Sequence, residues 1–234
     1  MGSAIFARFV ALLLVLASTP RAVASPLSRI FGRDANPAVL TPTEITINSA
    51  ANSGSGCPRR TVSVEISTDR TAVTLGFDEF QTYIGKRFAA SDRDKNCQIR
   101  LNLLYPGGYT FAVLEATYHG YAQLDAAVNG SFSTSYSFPG QKAADNAKSE
   151  SDESTTQATI KGGGQFATGA VYTETNQVSV SARVRAPCGR NATMLIRTRV
   201  NLTASDPDAE GTLTGDDATF AFTQQMHIAW ETCT

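Results

Sequence analysis

Glu115 and His119 are the residues whose types and spacing suit acid–base chemistry. They lie on one face of a predicted strand, because alternate residues of a strand point the same way. Four residues of strand separate them by about 13 Å, so both cannot reach one bond unaided. A polysaccharide-active enzyme would need a further carboxylate, such as Asp125. The alternative, which we favour, is that Glu115 pairs with an arginine such as Arg100 while hydrogen bonds satisfy His119.

Residues 118–121 offer an aromatic platform for a sugar ring. Tyr118 and Tyr121 each have an apolar face and a polar edge, and His119 lies between them. The favoured alternative is ordinary packing within the sheet, which is the commoner use of aromatic residues on strands. The single tryptophan, Trp230, is in phase with apolar neighbours and is predicted to lie in the core.

Four acidic residues near the C-terminus have a spacing similar to that of a calcium loop. A hard cation needs oxygen ligands at alternating positions and a glycine at the bend. Pro207 and the flanking strand patterns do not suit an EF-hand, so the favoured interpretation is a solvated acidic hairpin loop. No cysteine has a histidine at metal-ligand spacing, and no cofactor is expected. The candidate calcium ligands are Asp206, Asp208, Glu210 and Asp217.

The composition limits the class of function. The chain has 234 residues, of which 42% are hydrophobic and 18% charged, so it contains enough apolar residues for a core. Its 20 lysine and arginine residues are balanced by 21 aspartate and glutamate residues. A nucleic-acid binder needs a concentrated basic surface, and we therefore expect no nucleic-acid partner.

Residues 1–24 have the organisation of a secretory signal peptide. Arg8 precedes a short apolar run, and the small residues Ala22 and Ala24 fit a signal-peptidase site before Ser25. The run is too short to cross a membrane, and no later segment approaches that length. We therefore predict a secreted, extracellular protein without a membrane span.

The four cysteines agree with secretion, because paired thiols are stable in an oxidising compartment. Of the three possible pairings we favour Cys57 with Cys97 and Cys188 with Cys233, since each then closes a contiguous block of chain. Either loop, of about 40 residues, would stabilise the fold by about 4 kcal/mol in the chain-entropy model.

Sequons of the form Asn-x-Ser/Thr also fit a secreted protein. Such an asparagine can carry a glycan where it faces solvent. Asn201 alternates with Arg197 and Arg199, which places it on the wetter face of a predicted strand. The predicted glycosylation sites are Asn129, Asn191 and Asn201.

The mature chain has the pattern of an all-β protein. Period-two alternation of apolar and polar residues recurs along it, and turn residues separate the runs. Helical spacing occurs only at Phe80, Tyr83 and Ile84, enough for a turn or two. We predict an antiparallel, jelly-roll-like β-sandwich over residues 56–234, after an extended lead-in over residues 25–55.

Several short motifs occur together in an order that resembles a protein family. Over roughly residues 40–234 the chain is similar to a fungal family of small secreted proteins known only as a domain of unknown function. The resemblance implies secretion and a β-rich fold, and it brings no catalytic residues. Arg60 departs from the pattern, because glycine is expected before the first strand. The motifs are Gly56-Cys57-Pro58, Thr61-Val62-Ser63-Val64, Lys95-Asn96-Cys97-Gln98, Tyr105-Pro106-Gly107-Gly108, Ala116-Thr117-Tyr118-His119-Gly120-Tyr121, Pro187-Cys188-Gly189, Asp216-Asp217-Ala218 and Phe222-Thr223-Gln224, with a final Trp230 and Cys233.

The leading functional prediction is a secreted, disulfide-stabilised β-sandwich that binds a cell wall or a host surface without catalysis. The signal peptide, the sequons and the lack of an assembled catalytic set in the sequence motivate it. One alternative is an extracellular polysaccharide-active enzyme with a carboxylate acid or base. Another is a secreted effector that binds a host protein, which an exposed apolar patch would favour. The expected partner is thus a polysaccharide or a host or cell-surface protein.

Overall fold

Strand β5 (Asp94–Leu124) is the longest element and connects the two layers of the fold. The protein is represented by a computed structural model, in which residues 41–140, 153–213 and 222–233 are described. Single turns of 3₁₀-helix are the only helical elements in these ranges. The other strands are β1 (Thr46–Ser53), β2 (Val62–Ile66), β3 (Ala72–Phe77), β4 (Thr82–Ile84), β6 (Val128–Ser137), β7 (Ser154–Lys161), β8 (Ala170–Gln177), β9 (Gly189–Ala204), β10 (Gly211–Leu213) and β11 (Phe222–Thr232).

Strand β5 changes layer along its length. Its first part, residues 94–104, pairs with β1 and β9. Its second part, residues 109–124, pairs with β11, β10 and β8. The register shifts between the two parts, where Pro106 has no backbone N–H to donate and Gly108 has a φ of 85°. One continuous antiparallel sheet can therefore fold over on itself.

The two layers pack face to face. The first has the strand order β1-β5-β9-β6-β7 and the second β2-β3-β11-β5-β8, while β10 joins β4 to the end of β5. Rings from both layers meet between them. Tyr118 of β5 and Phe222 of β11 stack on Phe132 of β6, with ring centroids 5.1 and 5.7 Å apart. The predicted all-β antiparallel sandwich is confirmed.

Alternate residues of the strands fill the space between the layers. On β9, Ile196 and Val200 are buried while Arg197 between them is exposed, which is the two-residue period of a strand. Trp230 is 6% exposed and its ring centroid lies 4.9 Å from that of Phe111. The tryptophan therefore lies in the core, as its phase predicted.

Two disulfide bonds tie loops to the sheet. Cys57–Cys97 spans 40 residues and joins the segment after β1 to β5. Cys188–Cys233 spans 45 residues and joins the residue before β9 to the residue after β11. This is the pairing favoured from the sequence, and it uses all four cysteines of the chain.

Two elements correct the sequence-based description. Residues 46–53 form β1 and pair with β5, so the predicted lead-in extends too far at its C-terminal end. Mostly polar, exposed residues make up β1, and apolar alternation therefore gives no sign of it. The helical turn predicted at Phe80, Tyr83 and Ile84 is also wrong, because β4 occupies Thr82–Ile84 and pairs with β10.

The N-terminal predictions concern residues that the structure does not describe. The predicted signal peptide, residues 1–24, lies outside the described ranges, and so does the lead-in as far as residue 40. Within those ranges no helix is both long enough and apolar enough to cross a membrane.

Candidate functional site

The outer face of the second layer carries the residues that the sequence singled out for chemistry. Glu115, His119 and Tyr121 lie on this face of β5, since they alternate with buried residues. His227 lies on the same face of β11, directly opposite Glu115 in the antiparallel pair. The two histidines of the chain therefore share one surface.

Glu115 is half-exposed, with 29% of its side chain accessible. Its carboxylate accepts a hydrogen bond from Gln177 Nε2 at 3.5 Å and lies 3.9 Å from His227 Nε2. The predicted partner, Arg100, is wrong. Arg100 lies on the first-layer part of β5, opposite Leu195 of β9. The strand changes layer between the two residues, and this separates Arg100 from the face of Glu115.

The predicted acid–base residues are not brought together. Glu115 and the end of β5, beside Asp125, are about 30 Å apart at the usual rise of a strand. Asp125 instead accepts the backbone N–H of Glu210 at 2.7 Å. His119 Nδ1 lies 2.8 Å from Thr173 Oγ1, so a hydrogen bond satisfies this ring nitrogen. Glu115 and Asp125 therefore cannot act on one bond.

Tyr118 points into the sandwich, in agreement with the favoured interpretation of packing within the sheet, so it cannot be part of an aromatic platform. It is fully buried, and its hydroxyl donates to Thr134 Oγ1 at 2.9 Å and lies 2.8 Å from Thr156 Oγ1. Burial raises the pKa of this phenol. Residues three apart in a strand lie on opposite faces, so Tyr121 remains on the outer face. There it is half-buried, with its hydroxyl against Gly169.

The candidate calcium ligands do not converge. Asp208 Oδ1 lies 2.9 Å from Lys86 Nζ, and Asp206 accepts the backbone N–H of Asp208 at 2.9 Å. Glu210 lines a cleft at β4, β10 and the end of β5, and Asp217 lies outside the described residues. In the part of the chain that is described, no group of three or more acidic, histidine or cysteine side chains is placed to hold a metal ion. The described residues of this segment thus form an acidic turn.

The three sequons lie on strands of the first layer. Asn129 and Asn191 are exposed and Asn201 is half-buried. Asn129 lies opposite Thr203, and Asn201 lies opposite Ser131, so these two sequons are neighbours across β6 and β9. They stay predicted glycosylation sites.

A cleft that the sequence did not reveal lies where β4, β10 and the end of β5 meet. Its volume is about 520 Å³. Two aromatic rings and a guanidinium group stack at one wall of the cleft. The Tyr83 and Phe88 ring centroids are 4.9 Å apart at an interplanar angle of 18°. The Arg87 guanidinium lies 5.1 Å from the Phe88 centroid. The other side chains at the cleft are mainly polar. They include Gln123, Asp125, Glu210 and Thr212.

Paired strands position the cleft residues. Tyr83 of β4 lies directly opposite Thr212 of β10, and Thr82 Oγ1 donates to the Leu213 carbonyl at 3.1 Å across the same pair. Thr212 Oγ1 is buried and has no hydrogen-bond partner among the described residues. A buried hydroxyl without a partner costs free energy, and this one belongs to a residue that lines the cleft.

Two of the contacts at the cleft involve charged groups. The Glu210 carboxylate lies 3.8 Å from the Arg87 guanidinium, and the N–H of Glu210 is bound by Asp125. Gln123 and both carboxylates are exposed. The cleft therefore presents an apolar stack beside exposed hydrogen-bond donors and acceptors.

The sequence gives little sign of this cleft because its parts are far apart in the chain. Tyr83 and Thr212 become neighbours only because β4 pairs with β10. The paired residues are far apart in the chain: Thr82 and Leu213, for example, are 131 residues apart. Tyr83 and Phe88 also share no strand period, because a turn separates them. The available signal is the pair of aromatic residues, Tyr83 and Phe88, on either side of Lys86 and Arg87.

Two solved carbohydrate-binding modules align with the chain at low similarity. TmCBM61, in complex with β-1,4-galactotriose, has 9% sequence identity over 80% of this chain and 90% of that chain, with a TM-score of 0.24. The C-terminal CBM6 of LamC, from Zobellia galactanivorans, has 8% identity over 76% of this chain and 99% of that chain, with a TM-score of 0.24. Scores this low carry no argument about the ligand of this chain.

Sequence comparison gives a closer relationship. An uncharacterized secreted protein of Arthroderma benhamiae is 37% identical over 193 residues, which is 82% of this chain and 74% of that protein. The family described as Domain of unknown function (DUF4360) matches residues 43–233. The resemblance seen in the ordered motifs is thereby confirmed. The chain belongs to the family described as Domain of unknown function (DUF4360).

Proposed function

We propose that the protein is a secreted, non-catalytic binding protein that takes a carbohydrate of a cell wall or host surface into the cleft between β4 and β10. One observation carries the proposal. The stacked side chains of Tyr83, Phe88 and Arg87 lie beside carboxylate, amide and hydroxyl groups in a single cleft of about 520 Å³. This combination matches the two kinds of surface that a sugar ring presents.

The chemistry follows from the sugar itself. A pyranose has C–H groups on its faces and hydroxyl groups around its edge, so it needs an apolar contact and several hydrogen-bond partners at once. The half-buried rings of Tyr83 and Phe88 supply the apolar contact. The carboxylates of Asp125 and Glu210 accept hydroxyl protons in charge-assisted hydrogen bonds.

The rigidity of the cleft also supports binding. Backbone pairing of β4 with β10, and of β10 with β5, fixes the residues that carry the side chains. Asp125 accepts the backbone N–H of Glu210, and the exposed Glu210 carboxylate lies 3.8 Å from the Arg87 guanidinium. Groups that are already ordered lose little entropy when a ligand binds.

Three observations support an extracellular location. The N-terminal segment has the organisation of a signal peptide. Both disulfide bonds are of the kind that persists in an oxidising compartment. A family member that is 37% identical is named as a secreted protein.

Retention on polysaccharides tests the proposal. The mature protein would be incubated with insoluble chitin, β-glucan and mannan, and then titrated calorimetrically with soluble oligosaccharides of the retained polymer. We expect Tyr83→Ala to weaken binding at least about tenfold, since it removes the apolar contact. Gln123→Ala should weaken it by a smaller factor, because it removes one exposed hydrogen-bonding group.

Tyr121→Ala is the matched control, because Tyr121 is the half-buried tyrosine on the outer face of β5. It should bind as the wild type does. Loss of binding in Tyr121→Ala with full binding in Tyr83→Ala would move the site to the outer face and refute the cleft. Retention of the wild type on no polysaccharide would refute carbohydrate binding altogether.

A second candidate function is hydrolysis of a polysaccharide. It is favoured by the presence of two carboxylates, Asp125 and Glu210, at one cleft, since most glycosidases use such a pair. Binding is the better supported function because both carboxylates are exposed and already engaged, with Arg87 or with a backbone N–H. Release of reducing ends by the wild type, abolished in Glu210→Gln, would establish hydrolysis instead.

The remaining alternative, an effector that binds a host protein, has less support. A docking surface of that kind is a contiguous apolar patch. In the described ranges the large exposed apolar residues are Leu104, Val171 and Val180. They lie on β5, on β8 and in a 3₁₀ turn, so they belong to separate elements.

A further inference from the structure

We infer that a second groove, lined by Arg59, Arg60 and Arg100, binds an oxyanion carried by an acidic polysaccharide. The groove lies over β1 and the first part of β5, and its volume is about 770 Å³. It is separate from the cleft of Tyr83, with which it shares no lining residue. The inference therefore stands whether or not that cleft binds sugars.

All charged residues in the lining of the groove are arginines. Three guanidinium groups line it, the amides of Asn52 and Gln98 lie among them, and no carboxylate is part of its lining. Guanidinium groups bind carboxylate, phosphate and sulfate in two-point hydrogen bonds. The chain as a whole has a formal net charge of −1 and therefore no excess of basic residues. The basic charge of the groove is thus a local feature.

The three arginines of the groove have no acidic partner among the described residues, as is also the case for Arg70, Arg93 and Arg183. Arg87, Arg185, Arg197 and Arg199 each form an ion pair. Among the described residues, no carboxylate lies within ion-pairing distance of Arg59, Arg60 or Arg100. Like charges gathered without a counter-charge repel one another. A bound oxyanion would remove that repulsion.

The backbone conformation at Arg60 is also strained. Its φ is 72°, and the Thr61 N–H closes a turn onto the Pro58 carbonyl at 3.3 Å. A positive φ at the third residue of such a turn favours glycine, because a Cβ is strained there. A strained arginine in place of a glycine is the kind of outlier that binding sites retain.

The loop that carries Arg59 and Arg60 is fixed to the sheet. The Cys57–Cys97 disulfide joins it to β5. Asn52 Nδ2 donates to the carbonyls of Cys57 and Pro58 at 2.9 and 2.7 Å, and the Gly56 N–H donates to the Asn96 carbonyl at 2.9 Å. Arg59 and Arg60 are thus carried by an ordered backbone at the groove that Arg100 also lines, so the backbone loses less entropy on binding.

A polysaccharide fits this groove better than a nucleic acid does. Next to the arginines, the amide oxygen of Asn52, the amide of Gln98 and the hydroxyl of Ser53 offer partners for sugar hydroxyls. The basic charge is confined to one groove, whereas nucleic-acid binding needs an extended row of phosphate contacts. The oxyanion on the glycan is either a uronate carboxylate or a phosphate ester, and both present the same pair of oxygen atoms.

Calorimetric titration of the full mature protein separates these sources. The probes are oligogalacturonate, its methyl-esterified form and phosphorylated mannan oligosaccharides, with duplex DNA as a polyanion control. We expect one charged glycan to bind, with affinity that falls as salt rises, and at least about tenfold weaker binding of the neutral ester. Binding of neither charged glycan, equal binding of the ester, or tighter binding of DNA would overturn the inference.

Arg60→Gly and Arg70→Gly form the decisive pair of variants. Arg70 also has a positive φ, of 62°, but it lies in the turn between β2 and β3 and does not line the groove. Both changes relieve the same backbone strain, so neither should lower the thermal midpoint. We expect only Arg60→Gly to lose affinity, by about tenfold or more, and Arg100→Gln to reproduce the loss. Unchanged affinity in Arg60→Gly and Arg100→Gln would refute the site.

Discussion

Gln224 lies at the centre of a buried hydrogen-bond cluster between the two layers. Its Oε1 accepts from Thr198 Oγ1 at 2.8 Å, and its Nε2 donates to the Tyr136 hydroxyl at 3.0 Å. The Tyr136 hydroxyl also lies 3.1 Å from Thr156 Oγ1. Buried polar groups cost free energy unless they are hydrogen-bonded. The cluster is therefore compatible with a stable core only because its members satisfy one another.

Tyr172 presents the opposite situation. It is 3% exposed, and in the described structure its buried hydroxyl has no hydrogen-bond partner. The hydroxyl lies over Gly120, where a Cβ would be 2.6 Å from its oxygen. The ring packs against Phe132 with a centroid separation of 5.5 Å. Tyr172 thus contributes through its ring, and its hydroxyl costs free energy.

Removing these two hydroxyls should change stability in opposite directions. Tyr172→Phe should raise the free energy of unfolding by about 1 kcal/mol, because it removes an unsatisfied buried group. Tyr136→Phe should lower it by about 1–2 kcal/mol, because it leaves the partners of the hydroxyl unpaired. Urea unfolding of both variants measures the difference. Equal losses in the two variants would show that Tyr172 has a partner in solution.

Sequence alone predicts the position of these residues but not their partners. Alternation along β11 places Gln224 on the inner face, where a polar residue is unexpected. The partners Thr198 and Tyr136 belong to the opposite layer, on β9 and β6. Only the packing of the layers determines that they meet. The same holds for Glu115, whose face follows from alternation but whose neighbour His227 depends on the register of β11.

At the scale of elements, strands with strong apolar–polar alternation could be predicted from the sequence, whereas strands with weak alternation could not. Strand β9 is revealed by its apolar residues. Strand β1 is an edge strand of polar residues, and β4 has three residues. Such strands form because a neighbouring strand offers backbone hydrogen bonds, since the burial of their own side chains contributes little. The cleft residue Tyr83 lies on one of these short strands, which explains why it was missed.

The loop between β1 and β2 depends on a disulfide for its order. Cys57–Cys97 and Cys188–Cys233 close segments of similar length, 40 and 45 residues. Loss of either should destabilise the protein by a comparable amount, about 4 kcal/mol. Only Cys57 lies in the loop that carries Arg59 and Arg60. Loss of either disulfide should therefore lower the global stability equally, but only loss of Cys57–Cys97 should loosen this loop.

Limited proteolysis measures that local effect. Trypsin cleaves after arginine, and we expect little cleavage after Arg59 or Arg60 in the wild type, because the loop is held to β5. The double variant Cys57→Ser/Cys97→Ser should be cut there rapidly under native conditions. Cys188→Ser/Cys233→Ser is the matched control and should resist at this loop. Equal cleavage of the two variants would attribute the effect to global unfolding.

Buried tyrosines set the response of the whole molecule to high pH. Burial raises the pKa of Tyr105, Tyr118, Tyr136 and Tyr172 in the folded state. An unfolded tyrosine titrates near pH 10. Above that pH the unfolded chain releases phenolic protons that the folded protein still holds. The folded state then binds more protons than the unfolded state, so stability falls as pH rises.

We therefore expect the free energy of unfolding to be nearly constant from neutral pH to about pH 9 and to fall above about pH 10. Each buried tyrosine should contribute a slope of up to about 1.4 kcal/mol per pH unit. Urea unfolding across the alkaline range measures this slope, and tyrosinate absorbance reports ionisation. Tyr172→Phe should reduce the slope by the share of one tyrosine, because one phenol no longer titrates in the unfolded state. An unchanged slope in that variant, or tyrosinate absorbance from all tyrosines before unfolding, would contradict the burial of these hydroxyls in the layers of the sandwich.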